Sequence, residues 1–210
     1  MMGRGLWRSE LGGVGAEFAM IVPLLIIFVV GMVDVGRFMW TWNRAEKATQ
    51  MGVRYAAVTD MADAVNVADP TQDTGLWTYD FYTNDAIPRG DPIPEASFGG
   101  ATCTSSGCTC NVGATCPPLG SISAGFTNTV ARMQAFMGEI EAANVTIEYN
   151  YSGLGYSGDP YGSDVNPLIT VRLSGLTFSP ALAYLFGGTI PIPSFDSTLS
   201  MEDGVGTISN

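Results

Sequence analysis

The strongest feature of the hydrophobic pattern is a block of apolar residues near the N-terminus. Residues 18–33 are sixteen consecutive positions without a charge, and as an α-helix they would extend for about 24 Å. Widening the block to residues 14–36 spans the roughly 30 Å hydrocarbon core of a bilayer, with Glu17 and Asp34 near its two ends. The block is apolar on every side of the helix, which packing on a single face does not explain. The pattern therefore predicts one membrane-spanning helix.

Helical periodicity continues past this block. Trp40 and Trp42 follow it, where aromatic side chains anchor a helix at the membrane surface. Apolar residues then recur every three or four positions, and basic residues occupy the opposite side. We therefore expect one long helix from about Val14 to Val58, apolar all round at first and amphipathic later. Its apolar side comprises Val35, Phe38, Met39, Trp42, Ala45, Gly52 and Ala56, and its basic side Arg37, Arg44, Lys47 and Arg54.

A cleaved secretory signal is the main alternative interpretation of the apolar block. Arg4 and Arg8 form the basic region that precedes such a signal. However, no motif of small residues for signal cleavage follows the block, Glu17 interrupts its start, and the helical pattern continues beyond it. We therefore expect the block to remain in the protein as an anchor.

The remainder of the chain predicts an α+β domain. Ser121 could cap a second, amphipathic helix that extends to about Ala143. Alternating apolar residues predict strands within residues 144–151, 166–176 and 192–202. Pro180 could begin a short helix between the last two strands. The expected architecture is helices packed on one face of a small antiparallel sheet, and residues 60–118 are expected to form a long irregular excursion.

Charge and composition exclude several functions. Beyond residue 58 the chain has 16 Asp and Glu against three Arg, a net charge of −13, and such a surface repels nucleic acid. The chain contains no histidine, so Ser-His-Asp and Cys-His catalytic arrangements are impossible. No phosphate-binding loop is present. We expect a protein that is not an enzyme and needs no cofactor, with only Asp159 and Asp164 as weak calcium candidates that are better explained as turn residues.

Four cysteines lie within a single loop predicted at residues 101–118. They lack the paired Cys-x-x-Cys spacing and the histidines of zinc sites, so two disulfides are expected, with all three connectivities open. Disulfides persist outside the cytosol. Lys and Arg number two before the apolar block and four after it, which favours the opposite orientation, but we give the cysteines more weight. These cysteines are Cys103, Cys108, Cys110 and Cys116.

The start of the apolar block has a more specific motif. A short basic leader ends at Gly12, and Glu17 followed by Phe18 would be the fifth and sixth residues of a chain that begins at Gly13. This spacing resembles the processing site of type IV prepilins and pseudopilins. The sequence from Gly12 to Val58 resembles more closely the TadE-like family, pseudopilins of the tight-adherence (Flp pilus) system. The motifs that carry this resemblance are Glu17-Phe18, Pro23, Asp34 with Gly36-Arg37, and Gly52 with Arg54-Tyr55-Ala56-Ala57.

The resemblance implies a membrane-anchored minor pilin of a type IVb pilus that primes, caps or otherwise assists pilus assembly. Its partners would be a prepilin peptidase that cuts after Gly12, other pilins and pseudopilins, the assembly platform of the bacterial inner membrane, and membrane lipid. Residues 1–12 would be the leader, residues 13–58 the membrane and amphipathic helix, and residues 59–210 an acidic periplasmic domain. The residues expected to act in assembly or register are Glu17, Phe18, Pro23 and Asp34.

A second interpretation places the protein in another class. The acidic, cysteine-rich region is larger than a minimal member of the family needs, so the chain could instead be a signal-anchored extracytoplasmic adhesin or binding module that never enters a filament. A carboxylate in an apolar helix is costly and is by default a functional residue. Replacing Glu17 by Ala distinguishes the two interpretations, because only a pilin needs this carboxylate for assembly.

Overall fold

The computed structural model describes residues 10–59, 88, 90–95, 100–111, 122–157, 166–183 and 187–202. The chain divides into two compact units, which are described separately. One comprises residues 1–42 and 177–191, and the other comprises residues 43–176 and 192–210. The expected α+β fold with a long N-terminal helix is confirmed.

The long helix α1 extends over Glu10–Ala56. At about 1.5 Å per residue its 47 residues extend for roughly 70 Å. The helix begins three residues before Gly13, slightly earlier than the expected start near Val14, and it ends slightly before the expected Val58. By length and composition, α1 could cross a membrane from Gly15 onward.

The C-terminal part of α1 belongs to the second unit and packs against its other elements along one stripe of residues. Small residues dominate this stripe, which lets α1 approach its neighbours closely. Of the residues on the predicted apolar side, Ala45, Gly52 and Ala56 are buried in this stripe, whereas Val35 and Met39 are exposed. The buried stripe consists of Ala45, Ala48, Thr49, Gly52, Val53 and Ala56.

The second helix, α2, extends over Ala124–Gln134. Its N-cap is Ser123, whose Oγ accepts a hydrogen bond of 2.9 Å from the backbone N–H of Gly125. The predicted start at Ser121 and end near Ala143 are therefore wrong. Gly138 disfavours a longer helix, and the Gln134 side-chain amide donates to the Ile140 carbonyl at 2.8 Å where the chain turns away. The apolar positions of the pattern are nevertheless buried, namely Phe126, Val130, Met133, Met137 and Ile140.

A five-stranded antiparallel sheet forms the other layer of the second unit. Its strands lie in the order β2 (Gly107–Cys110), β1 (Ala101–Thr104), β3, β4 and β7. The three predicted strands are present as β3 (Val145–Asn150), β4 (Leu168–Leu173) and β7 (Phe195–Ser200). Alternation places one face of β3 and β4 in the core, because side chains of a strand point to opposite faces in turn. The core side chains of these two strands are Val145, Ile147, Tyr149, Ile169, Val171 and Leu173.

The cysteine-rich stretch forms a β-hairpin, so the prediction of an irregular loop is wrong for residues 101–110. Strands β1 (Ala101–Thr104) and β2 (Gly107–Cys110) pair with each other, and β1 also pairs with β3. The threonines in these strands are β-branched and favour extended backbone. Cys103 lies directly opposite Cys108 and forms a disulfide with it.

The first unit combines the N-terminal part of α1 with a hairpin. Strands β5 (Thr177–Phe178) and β6 (Ile190–Pro191) pair antiparallel, and we call the described residues 177–183 and 187–191 the β5–β6 hairpin. The expected helical turn after Pro180 is present, since the N–H of Ala183 donates to the Pro180 carbonyl at 3.0 Å. The rest of the short helix expected from Pro180 is not tested, because residues 184–186 lie outside the described part of the chain.

Candidate membrane anchor and assembly segment

Glu17 lies on the exposed surface of α1 near its start. The side chains of residues 15–21 are all exposed, and 68% of the surface of Phe18 is accessible. An added Cβ at Gly13 or Gly15 would meet no atom within 4 Å. Within the described part of the chain, no ion pair involves Glu17. Its carboxylate is therefore sterically accessible to another molecule.

Pro23 lies inside the helix six residues after Glu17, and α1 continues on both sides of it. Proline has no backbone N–H, so the carbonyl of Ala19 loses its usual helical donor. The side chain of Pro23 is exposed. This position is therefore where α1 most easily bends or opens.

Among the residues that the structure describes, few pack against the apolar block, and most of its surface is accessible. A buried core helix would hide these side chains, whereas here they are largely accessible, so this part of α1 is compatible with a single-pass membrane anchor. The exposed large residues of the block are Phe18, Met20, Ile21, Leu24, Leu25, Ile26, Ile27, Phe28, Val29, Met32 and Val33.

Asp34 is buried, with only 6% of its surface accessible. Its two carboxylate oxygens accept hydrogen bonds from the backbone N–H groups of Ala181 at 2.7 Å and Leu182 at 2.9 Å. Arg37, one helical turn further along α1, donates to the same carboxylate at 2.9 Å. The acid at the end of the apolar block is thus satisfied by its own chain, through the turn of the β5–β6 hairpin.

Aromatic contacts extend this attachment. The ring of Phe178 in β5 packs edge-to-face on Phe38 of α1, with 5.5 Å between the centroids, and the guanidinium carbon of Arg37 lies 5.4 Å from the centre of the Phe178 ring. Phe38 also contacts Trp42 at 6.0 Å. Cation–π and edge-to-face contacts of this kind each contribute about 1 kcal/mol, so the hairpin is held on α1 by more than the Asp34 hydrogen bonds.

The second glycine motif of α1 belongs to the core of the other unit. A Cβ at Gly52 would lie 2.8 Å from Cγ and Sδ of Met133 in α2 and 3.4 Å from Val171 in β4. The absence of a side chain at Gly52 therefore allows α1, α2 and β4 to pack closely against one another. Arg44, two helical turns before Gly52 on α1, donates a hydrogen bond of 3.0 Å to the carbonyl of Phe136.

The exposed face of the sheet is polar and carries a small ion-pair network. Arg172 contacts Glu148 on β3 at 3.0 Å and Asp196 on β7 at 2.8 Å. The hydrogen bond to Asp196 and the charge of Glu148 raise the pKa of Arg172 above its ordinary value. Directly beside it, the hydroxyls of Thr170 and Thr198 are 2.8 Å apart. This face is suited to water and not to an apolar partner.

Some of the predicted site residues lie outside the part of the chain that the structure describes in full. Asp159, Asp164 and Cys116 lie outside the described residues, and Gly12 is described only as part of α1. Cys110 is disulfide-bonded. In the ranges that the structure does describe, no cluster of three or more acidic, cysteine or histidine residues could hold a metal ion.

The sequence motifs identified Asp34 but not the residues that it binds. Ala181 and Leu182 contribute only backbone N–H groups, so their side chains carry no sign of this role. The available signal was Pro180, which predicted a helical turn whose first N–H groups need acceptors. Because a buried carboxylate needs hydrogen-bond donors and the start of a helical turn needs acceptors, Asp34 and this turn could have been predicted to bind each other.

Comparison with known proteins agrees with the motifs of α1. The model of the TadE-like protein family matches residues 12–54, a segment that contains Glu17, Pro23, Asp34 and Gly52. No curated protein and no solved structure is significantly similar to the chain. The chain therefore carries a TadE-like N-terminal segment, as its motifs indicated.

Proposed function

We propose that this protein is a membrane-anchored minor pilin, or pseudopilin, that acts in the assembly, priming or capping of a tight-adherence (Flp) pilus. The observation that carries the proposal is the coincidence of the TadE-like match at residues 12–54 with a helix whose apolar surface is exposed. A helix of this kind can be anchored in lipid first and packed against other pilin helices later. The role is structural, and no catalytic step is assigned to it.

In this proposal a prepilin peptidase removes residues 1–12 and creates an α-amine at Gly13. The Glu17 carboxylate of one subunit then pairs with the Gly13 amine of its neighbour within a bundle of helices. Breaking a buried ion pair costs roughly 3–5 kcal/mol, so a helix in the wrong axial register would be rejected. The exposure of Glu17 and the open space around Gly13 support this role.

The location follows from the same proposal. Residues 13–36 would cross the bacterial inner membrane once, and the acidic domain would be periplasmic, where the disulfide of Cys103 and Cys108 is stable. Pro23 would let α1 bend locally as the subunit leaves the bilayer for a filament. The remaining partners are the other pilins and the inner-membrane assembly platform.

Glu17→Ala tests the proposal in the native host. We expect pili to be lost while the protein remains in the membrane at its normal level, as measured by electron microscopy and immunoblotting of sheared surface fractions. Glu46→Ala is the matched control, because Glu46 is an exposed carboxylate on the same helix outside the apolar block. Normal piliation with Glu17→Ala would contradict the proposal, and retained surface binding in such cells would favour an anchored adhesin.

A further inference from the structure

The β5–β6 hairpin belongs to an unusually apolar stretch of an acidic region. Between Arg172 and Asp196 the sequence has 23 consecutive residues without a charge, although the chain beyond residue 58 has a net charge of −13. A water-exposed excursion of such a chain would be expected to carry acidic residues. The lack of charge indicates an environment in which charge is disfavoured.

The structure attaches this hairpin to the apolar block of α1. A Cβ at Gly31 would lie 3.7 Å from Cδ1 of Leu182, and Gly31 is within the charge-free residues 18–33. Gly31 precedes Asp34 by one helical turn, or about 4.5 Å along the axis. The backbone of the turn therefore lies beside Asp34, at the end of the apolar block, and the Leu182 side chain extends from it to the level of Gly31 within the block.

Asp34 would oppose such a location if its charge were unsatisfied, because a lone carboxylate at the edge of a bilayer is costly. Here the carboxylate receives two backbone N–H groups and the guanidinium of Arg37. Those N–H groups are the first of the turn that follows Pro180, and without the carboxylate they would lack an acceptor within the turn. Each group therefore removes the main obstacle to placing the other in an apolar environment.

The outer surface of the hairpin is also suited to lipid. Ile190 has 46% of its surface exposed, and its neighbours Thr189 and Pro191 are exposed and uncharged. We propose that the β5–β6 hairpin inserts into the headgroup and upper acyl region of the bilayer, so that the membrane anchor consists of α1 and this hairpin together. The inference depends on the membrane anchoring assigned to α1 under the proposed function.

Fluorescence quenching of the full-length protein in phosphatidylcholine–phosphatidylglycerol vesicles tests this inference. Single cysteines at Ile190→Cys and Thr189→Cys would be labelled with an environment-sensitive dye without reductant, and wild-type protein labelled in parallel measures any reaction of native cysteines. Leu25→Cys reports the middle of the apolar block. Leu199→Cys is the matched control, since Leu199 is 40% exposed in β7 between Thr198 and Ser200.

We expect the labels at positions 189, 190 and 25 to be quenched by lipids that carry a spin label near the headgroup or in the acyl chain, and to resist aqueous iodide. The label at position 199 should show iodide quenching several-fold stronger than these three. If positions 189 and 190 behave like position 199 while position 25 is lipid-quenched, the hairpin inference is overturned and the anchor stands. If position 25 also behaves like position 199, both the anchor and the inference fail.

Discussion

The carboxylate of Asp34 accepts a hydrogen bond of 2.7 Å from the backbone N–H of Ala181, a residue 147 positions later in the chain. This contact closes a long loop onto the end of the apolar block. It also accounts for a buried acid in α1 without a second subunit. Glu17 and Asp34 are thus two different kinds of acid, one exposed and one satisfied within the chain.

Asp34→Ala should release the turn of the β5–β6 hairpin. Hydrogen bonds to a charged acceptor contribute about 2 kcal/mol each, so amide exchange at Ala181 and Leu182 should become roughly thirtyfold faster. Hydrogen–deuterium exchange with mass spectrometry of the full chain in lipid nanodiscs would measure this change.

Arg37→Gln is the control for that variant. It removes the ion pair and the contact of Arg37 with the Phe178 ring but leaves both backbone hydrogen bonds to Asp34. The Arg37 side chain is half exposed, and each of the two lost contacts contributes about 1 kcal/mol, so exchange at Ala181 and Leu182 should rise less than in Asp34→Ala. Equal effects of the two variants would mean that the backbone hydrogen bonds are not what holds the turn.

Gly52→Ala should destabilise the second unit although alanine favours helix. The new Cβ would be 2.8 Å from Met133, closer than side chains tolerate, and overpacking of a core costs about 1–3 kcal/mol. Gly36→Ala on the same helix is the matched control, because its Cβ would meet nothing within 4 Å. Chemical denaturation followed by the sheet's circular dichroism should separate the two variants, and a gain in stability from Gly52→Ala would contradict the close packing.

Replacing both Cys103 and Cys108 by Ala should destabilise the β1–β2 hairpin. The disulfide closes a short loop with a sequence separation of 5, for which the chain-entropy estimate is about 2 kcal/mol. The measurement is amide exchange in residues 101–110 compared with β4. A uniform effect on both segments would indicate that the hairpin and the central strands unfold as one unit.

Arg172→Gln should have a small effect that salt removes. Arg172 is 41% exposed at its side chain and pairs with two partly exposed carboxylates, so a loss of no more than about 1 kcal/mol is expected. Its raised pKa means that the arginine's stabilising contribution is fully present below its ordinary pKa and is lost only at higher pH. Titration of this arginine should therefore not alter stability near neutral pH, and denaturation at low and high salt checks the screening.

Periodicity predicted the parts of the fold that depend on regular alternation. Ile169, Val171 and Leu173 are buried as expected, because a strand with one covered face must alternate. The stripe through Ala45 and Gly52 was likewise visible as helical spacing. These signals are local, and a short stretch of sequence contains all of them.

The features that were missed depend on distant partners. The hairpin β1–β2 has threonine, glycine and cysteine instead of alternating large apolar residues, and it is a strand pair because β3 supplies an edge. The end of α2 at Gln134 depends on where Met137 and Ile140 must turn into the core. The Asp34 contact uses backbone donors, which no residue type reveals.

The most direct test of the central claim is the N-terminal sequence and intact mass of the protein from membranes of its native host, without reductant. We expect a mature chain that begins at Gly13 and has a mass lowered by the hydrogens lost in forming disulfides. That result would support prepilin-type processing and the amine that Glu17 is proposed to bind. A chain that still begins at Met1 or Met2 would contradict it, and the protein would then be better explained as an anchored binding protein.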